Sequence, residues 1–161
     1  MTITCFDCIT LTAVLMFEVD TGKANAGLKI ALLADGVFQM PPLAPPELSL
    51  FYIELLLKVE LNFSDGYIAA DAVLAPASHI YVPMARLTGG ASFYSWFPPN
   101  SHAGDWVVTI GGYNRTYQVP AHYPKPARVG LRFTVGDEIQ IIGQCYAAGK
   151  LHTHDAVHEN Y

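Results

Sequence analysis

The 161-residue chain is short of charge. Asp, Glu, Lys and Arg make up 14% of its residues, against roughly 25% in an ordinary soluble domain. Hydrophobic residues make up 52%. Charged residues this few cannot cover the whole surface of the protein. We therefore expect many residues to be buried between sheets, and part of the exterior to be covered by further copies of the chain. The composition therefore predicts a homo-oligomer.

Positive charge is the scarcer sign. Nine Lys and Arg residues stand against fourteen Asp and Glu, for a net charge of −5, and no cluster of Lys and Arg occurs in the sequence. Proteins that bind nucleic acid or anionic membrane surfaces present a basic face to the phosphates. We therefore expect neither nucleic acid nor membrane as a partner.

Cysteines and long apolar runs are also few. An odd count of three cysteines does not build a disulfide framework. The longest apolar run, Leu48–Leu57, is interrupted by Glu54, and a spanning helix needs about 20 apolar residues. Met1–Val19 lacks the basic start and the cleavage site of a signal peptide. These features predict a cytoplasmic protein, and a virion or inclusion component would also fit them.

What the sequence has in plenty is alternation with a period of two. The odd-numbered residues of Ile9–Val19 and of Phe51–Phe63 are all apolar. Successive side chains of a strand point to opposite faces, so this pattern is typical of strands. On a helix the residues of Phe51–Phe63 would cover every side, including the one that faces water. We therefore predict two long strands here.

Shorter alternating runs separated by turn residues predict the other strands. They lie at residues 28–33, 67–74, 80–87, 91–97, 106–111, 116–119, 129–135 and 139–145, with turns at Asp35–Gly36 and Asp65–Gly66. Proline-rich Met40–Glu47 and Pro120–Pro126 cannot be central strands, and we interpret both as crossovers between sheets.

These elements predict an all-β fold, an antiparallel β-sandwich of about nine to ten strands with Greek-key or jelly-roll connections. A closed β-barrel is the alternative, because it produces the same alternation. No linker divides the pattern, so residues 1–148 are predicted to form one domain. The polar, His-rich residues 149–161 then form a C-terminal tail.

An aromatic-rich segment between Phe93 and Tyr117 is the strongest candidate for ligand binding. Sugar sites on β-sandwiches pair an aromatic face with Asn, Asp or Arg side chains that bond the hydroxyl groups, and they lie on loops at one end of the sandwich. The candidate ligand-binding residues are Tyr94, Trp96, Asn100, Asp105, Tyr113, Asn114 and Arg115. The alternative is structural, because Trp106 alternates with Val108 and Ile110 as a core residue does, and Trp96, beside Pro98–Pro99, would anchor a loop or itself belong to the core.

Histidines suggest a weaker metal hypothesis. The tail places His152, His154 and His158 at spacings that bring pairs of imidazoles to one face of a strand or a helix, and such pairs bind zinc or copper. Cys5 and Cys8 form a CxxC pair that could complete the set. A cupin-type site would instead use His79, His102 and His122, but these stand beside turns and no two share a predicted strand, which favours surface positions.

Three functions follow, in order. The first is a self-associating, non-catalytic structural or assembly protein, because charge is low and Phe51–Phe63 is a long apolar strand whose exposed edge would invite strand addition. The second is a lectin-like module that binds a glycan or small molecule around residues 94–115. The third is a metal-dependent, cupin-like enzyme, which the absence of any catalytic motif ranks last. No cofactor is expected apart from zinc in the metal alternatives.

Overall fold

A computed structural model of the chain describes residues 1–20, 27–81, 84–135 and 139–151. Within these ranges the chain forms twelve antiparallel strands and one 3-10 turn, Pro46–Leu48. The predicted all-β, antiparallel fold is confirmed. The described residues contain no helix that is long and apolar enough to cross a membrane.

The strands alternate with short turns along the chain. Their bounds are β1 Thr2–Cys5, β2 Ile9–Asp20, β3 Gly27–Met40, β4 Phe51–Asn62, β5 Tyr67–Leu74, β6 His79–Ile80, β7 Ala85–Thr88, β8 Gly90–Trp96, β9 Trp106–Ile110, β10 Val129–Val135, β11 Ile139–Cys145 and β12 Ala147–Leu151.

The long strand β4 is the centre of the sheet. One of its edges pairs with β3, which continues to β2 and β1. Its other edge is shared, because Leu55–Asn62 pairs with β5 while Phe51 and Tyr52 pair with β6. The sheet therefore divides into two branches, β5–β8–β9–β12 and β6–β7–β10–β11.

The branched sheet is sandwich-like and open. Strands β11 and β12 end the two branches and do not pair with each other in the described part of the chain, so the alternative of a closed barrel is wrong. The segment Pro120–Pro126 carries the chain from β9 in one branch to β10 in the other, as a crossover should. Met40–Glu47 is not a crossover, because the strands that it connects, β3 and β4, are hydrogen-bonded neighbours.

Several predicted boundaries are wrong. Asp35 and Gly36 are not a turn but lie inside β3, because they pair with β2 on one side and β4 on the other. The predicted strand 80–87 is two strands, β6 and β7. Residues 116–119 form no strand, whereas β1 and β12 form where no alternation signalled them. For β3 and β12, pairing with segments that are distant in the sequence decided the outcome.

The register gives the sheet two chemically different faces. On β2 to β5 one face, which we call the apolar face, carries only apolar residues. They are Ile9, Leu11, Ala13, Leu15, Phe17 and Val19 of β2, the even-numbered residues of Leu28–Met40, the odd-numbered residues of Phe51–Leu61, and Ile68, Ala70, Ala72 and Leu74. The opposite face, which we call the polar face, carries the charged side chains of these strands.

A small aromatic core lies on the polar face of β8 and β9. Trp96, Val107, Tyr113 and Tyr123 are buried together there, because the loop between β9 and β10 folds back over these two strands. Thr109 Oγ1 donates a 2.7 Å hydrogen bond to the carbonyl of Gly112 and ties the beginning of this loop to β9. The loop thus covers one end of the polar face and leaves the neighbouring part, over β4 and β5, open.

Candidate functional site

A pocket of about 290 Å³ opens on the polar face beside the aromatic core. Strands β4, β5 and β8 lie side by side there, and their register sets Lys58 opposite Asp71 and Tyr67 opposite Trp96. Alternation then aims the side chains of three strands at one place. The lining residues are Lys58, Glu60, Tyr67, Ala69, Asp71, Tyr94, Trp96 and His122.

Glu60 is the buried acid of this pocket. Its carboxylate lies 3.1 Å from Lys29 Nζ and 3.0 Å from Lys58 Nζ, and it accepts a hydrogen bond from the Tyr67 hydroxyl. Burial acts to raise the pKa of Glu60, but the hydrogen bonds from Tyr67, Lys58 and Lys29 outweigh it and lower the pKa to about 2. Glu60 is therefore a fixed negative charge at neutral pH.

Asp71 is the second carboxylate of the pocket. Ser92 Oγ donates to its Oδ1 at 2.6 Å, and the Tyr94 hydroxyl donates to its Oδ2 at 2.9 Å. Burial and the hydrogen bond to Asp71 raise the pKa of Tyr94 to about 12, so the phenol stays protonated. Since an ionised carboxylate has about four acceptor positions, Asp71 retains acceptor capacity toward a ligand.

Two histidines and an aspartate meet at the rim of the pocket. The imidazole rings of His102 and His122 are parallel, with centroids 3.8 Å apart and planes 7° apart. Asp105 is buried, and its Oδ2 lies 3.7 Å from Nε2 of His122. The edge-on contacts of Trp96 with both imidazoles join this cluster to the aromatic core.

The turn between β8 and β9 fixes the position of this cluster. Asn100 Nδ2 donates to the carbonyl of Asp65 at 2.7 Å, and its Oδ1 accepts the amide of His102 at 3.0 Å. The amides of Gly104 and Asp105 close the turn by bonding the carbonyls of Trp96 and His102. His122 arrives separately, on the loop between β9 and β10, so the cluster forms only when that loop folds over β8.

The candidate ligand-binding residues do not form one site. Tyr94 and Trp96 line the pocket, whereas Asp105 lies in the histidine cluster and Asn100 is used to hold a turn. Trp96 is only 6% exposed and stacks on Tyr123, with ring centroids 5.7 Å apart. The alternative that Trp96 belongs to the core therefore fits its environment.

Tyr113, Asn114 and Arg115 lie away from the pocket. Tyr113 is buried, and burial, followed by the neighbouring Tyr117, raises its pKa to about 12. Asn114 is exposed, and its side chain accepts hydrogen bonds from the amide and hydroxyl of Thr116. Arg115 is exposed on the same loop and lines a shallow surface depression with Asn114. Tyr113 and Asn114 therefore stabilise the loop that covers the aromatic core, and Arg115 is exposed on the surface of that loop.

The histidines divide into three groups. His79 is buried between β4 and β7, where its ring nitrogens lie 2.8 Å from the carbonyl of Ala77 and 3.0 Å from that of Ser49. His102 and His122 meet, although the sequence favoured separate surface positions. The candidate metal ligands His152, His154 and His158 lie outside the described residues.

Sequence reasoning missed the carboxylates of the pocket. Asp71 stands in an otherwise apolar run and Glu60 lies between the apolar Val59 and Leu61, on two strands that the sequence already predicted to pair as a hairpin through Asp65–Gly66. Charges placed on one face of two paired, partly buried strands were the available signal. The position of His122 beside the pocket could not be predicted in this way, because the loop between β9 and β10, and not a strand, brings His122 to β8.

A family model described as a family of unknown function (DUF6603) matches residues 1–149 of the chain. No curated protein and no solved structure matches this chain.

Proposed function

We propose that this chain, which belongs to the DUF6603 family, is a non-catalytic structural protein that self-associates through its apolar face. The observation that carries the proposal is the exposure of that face. On β2 alone, Leu15 is 54% exposed, Phe17 66% and Val19 60%. Soluble monomers rarely leave a contiguous apolar surface of this kind uncovered.

A second copy of the chain is the occupant that the face fits best. The positions on β2 to β5 include no charged residue, so two copies can pack sheet on sheet without burying an unpaired charge. Two apolar sheet faces pack about 10 Å apart in sandwiches. The apolar face of one copy therefore forms one half of a hydrophobic core, and the apolar face of a second copy would form the other half.

The size of the apolar face suits a stable interface. Strands β2, β3, β4 and β5 have 12, 14, 12 and 8 residues, and at about 3.4 Å per residue and 4.8 Å between strands they cover roughly 750 Å² of plane. Each partner of a standard interface contributes about 800 Å² of accessible surface. A face of this area and composition can hold two copies together.

Adjacent residues of β2 provide a matched test. Leu15 and Val14 are 54% and 55% exposed but lie on opposite faces. Light scattering on the unmodified chain should give an oligomer. Leu15→Lys should shift the mass toward the monomer, because a lysine within an apolar interface must be desolvated, while Val14→Lys should leave the mass unchanged. A monomeric unmodified chain, or equal effects of the two variants, would refute the proposal.

The cytoplasmic location belongs to the same proposal. Cys5, Cys8 and Cys145 are all free thiols, and two of them are exposed. Exposed thiols persist in reducing compartments. Growth of the assembly should therefore be insensitive to reductant, because hydrophobic contact and not disulfide exchange holds the copies together.

The polar pocket supports binding of a hydroxyl-rich ligand, such as a glycan, as a second function. Glu60 and Asp71 are acceptors, Lys58 is a donor, the Tyr94 hydroxyl, which donates to Asp71, can still accept, and the ring of Tyr67 contributes an apolar surface. Aromatic surface combined with such groups is what sugar recognition uses. The pocket is on the polar face, so ligand binding and self-association do not compete.

A glycan screen tests this second function. Binding of a glycan to the unmodified chain should weaken at least tenfold in Tyr94→Phe, which removes one hydroxyl from the pocket. Tyr81→Phe makes the same chemical change on an exposed tyrosine outside the pocket and should bind normally. No binding across a broad glycan set, or equal loss in both variants, would exclude the pocket as a sugar site.

A further inference from the structure

We propose that His102, Asp105 and His122 form a binding site for a divalent transition metal ion, with zinc as the reference ion. The donor atoms of the three side chains all lie within 4.8 Å of one another. Two imidazoles and one carboxylate are an established donor set for such ions, which leaves at least one coordination position for water or a ligand. This site is independent of the apolar face.

The three donors come from two separate parts of the fold. His102 lies in the turn after β8, Asp105 directly precedes β9, and His122 lies on the loop between β9 and β10. The hydrogen bonds of Asn100 and Gly104 hold the turn, and Trp96 contacts both imidazoles. Convergence of a turn and a distant loop on one point, supported by a packed aromatic residue, is what positions ligands before the ion arrives.

The donors need only a small movement to bind an ion. Bonds of about 2.0–2.2 Å hold the donors of a tetrahedral zinc site roughly 3.4 Å apart, so the cluster must contract by roughly 1 to 1.5 Å. His102 is exposed, and rotation of its side chain out of the parallel stack can supply this movement. Asp105 is buried and His122 is half-buried, so they are the fixed part of the site.

The location of the cluster gives the ion a role. His122 belongs both to the cluster and to the lining of the pocket. An ion held by His122 therefore lies at the edge of a pocket that already contains the carboxylates of Glu60 and Asp71. Its open coordination position would take a hydroxyl or carboxylate oxygen of a ligand that occupies the pocket.

The histidines of residues 149–161 require a control, because they offer a rival set of imidazoles. We therefore compare the unmodified chain with His102→Gln, and with a chain in which His152, His154 and His158 are all replaced by Gln. Because His102 is exposed, His102→Gln should fold normally, and circular dichroism verifies this. Asp105→Asn, at a buried position, serves as a second cluster variant once it is shown to fold.

Calorimetry with Zn²⁺, and quenching of tryptophan fluorescence by Co²⁺, measure binding at the proposed place. We expect one ion per chain, with quenching that persists in Trp106→Phe because Trp96 is the tryptophan that contacts the cluster. His102→Gln should weaken binding more than 100-fold, since even loss of a residue that merely supports a ligand costs 10–100-fold. The triple tail variant should bind normally.

Three outcomes would overturn the proposal. The first is no binding of Zn²⁺ or Co²⁺ below millimolar concentration. The second is binding that His102→Gln leaves unchanged. The third is binding that disappears in the triple tail variant, which would assign the ion to His152, His154 and His158 instead.

Discussion

Lys29 Nζ lies 3.1 Å from Oε1 of Glu60, diagonally across the pairing of β3 with β4. The contact ties the neighbouring strand β3 to the buried acid of the pocket. Together with Lys58, Lys29 stabilises the ionised form of Glu60, whose pKa is lowered the most among the carboxylates of the described residues. The response of the fold to acid should therefore depend on Glu60.

Acid should destabilise the protein through Glu60. Its folded-state pKa is about 2 and lies below the ordinary value of 4.5, so the stabilisation is complete above about pH 5 and is lost as the pH falls toward 2. Glu60→Gln should reduce this loss, which we expect to be about 1–3 kcal/mol. Urea unfolding at fixed protein concentration between pH 2 and pH 7 measures it. A variant with the same acid dependence as the unmodified chain would contradict the prediction.

Alkali should destabilise the protein through Tyr94 and Tyr113. The pKa values of both phenols are raised to about 12, so the stability that their neutral forms provide is present below pH 10 and is lost as the pH rises through 12. Ultraviolet titration should place Tyr94 and Tyr113 among the tyrosines that ionise late. Tyr94→Phe and Tyr113→Phe should each remove one late-ionising tyrosine, whereas Tyr81→Phe, at an exposed position, should leave both in place.

Trp96→Ala should destabilise the fold by about 3–5 kcal/mol, because it empties the centre of the small aromatic core. Phe93→Ala on the same strand should cost much less, since Phe93 is 39% exposed on the apolar face. Urea unfolding under conditions that keep both variants in the same oligomeric state compares them. An equal loss of unfolding free energy in the two variants would mean that Trp96 is not a core residue, and its role would then be ligand binding alone.

Gly111→Ala should destabilise the fold by about 2–4 kcal/mol. Gly111 has φ +67°, and an added Cβ would lie 2.5 Å from the carbonyl oxygen of Cys145 and 2.8 Å from the amide nitrogen of Val129. Gly143→Ala is the matched control, because a Cβ there meets no atom within 4 Å. Thermal unfolding should separate the two variants clearly, and an unchanged Gly111→Ala would show that the β9 end can move away from β10 and β11.

The strands that the sequence predicted well are those whose information is local. In Ile9–Val19 and Phe51–Phe63 the alternation is long enough to exclude a helix, and β2 and β4 begin and end close to the predicted residues. Asp35–Gly36 looked like a turn for an equally local reason, since both residue types favour turns. It became part of β3 because neighbours on both sides supplied hydrogen-bond partners, and the sequence of β3 itself does not contain that information.

The candidate site divides in the same way. Tyr94 and Trp96 could be chosen from composition, because aromatic residues interleaved with polar ones are visible in the sequence. The pairing of His102 with His122 could not, since a loop that folds over β8 brings together residues that no strand register relates. Asn100 illustrates the opposite error, because a residue type suited to ligand binding was used to hold a turn.

By itself the sequence determined the all-β architecture, the two faces of the sheet and the absence of charge from one of them. Each follows from a period-two pattern that any strand must obey. Only the tertiary structure decided that the sheet would branch at β4, that the apolar face would stay exposed, and that Glu60, Asp71 and the histidine cluster would meet around one pocket. These depend on which strand shares an edge with which, and that choice is made by long-range pairing and by the loop between β9 and β10.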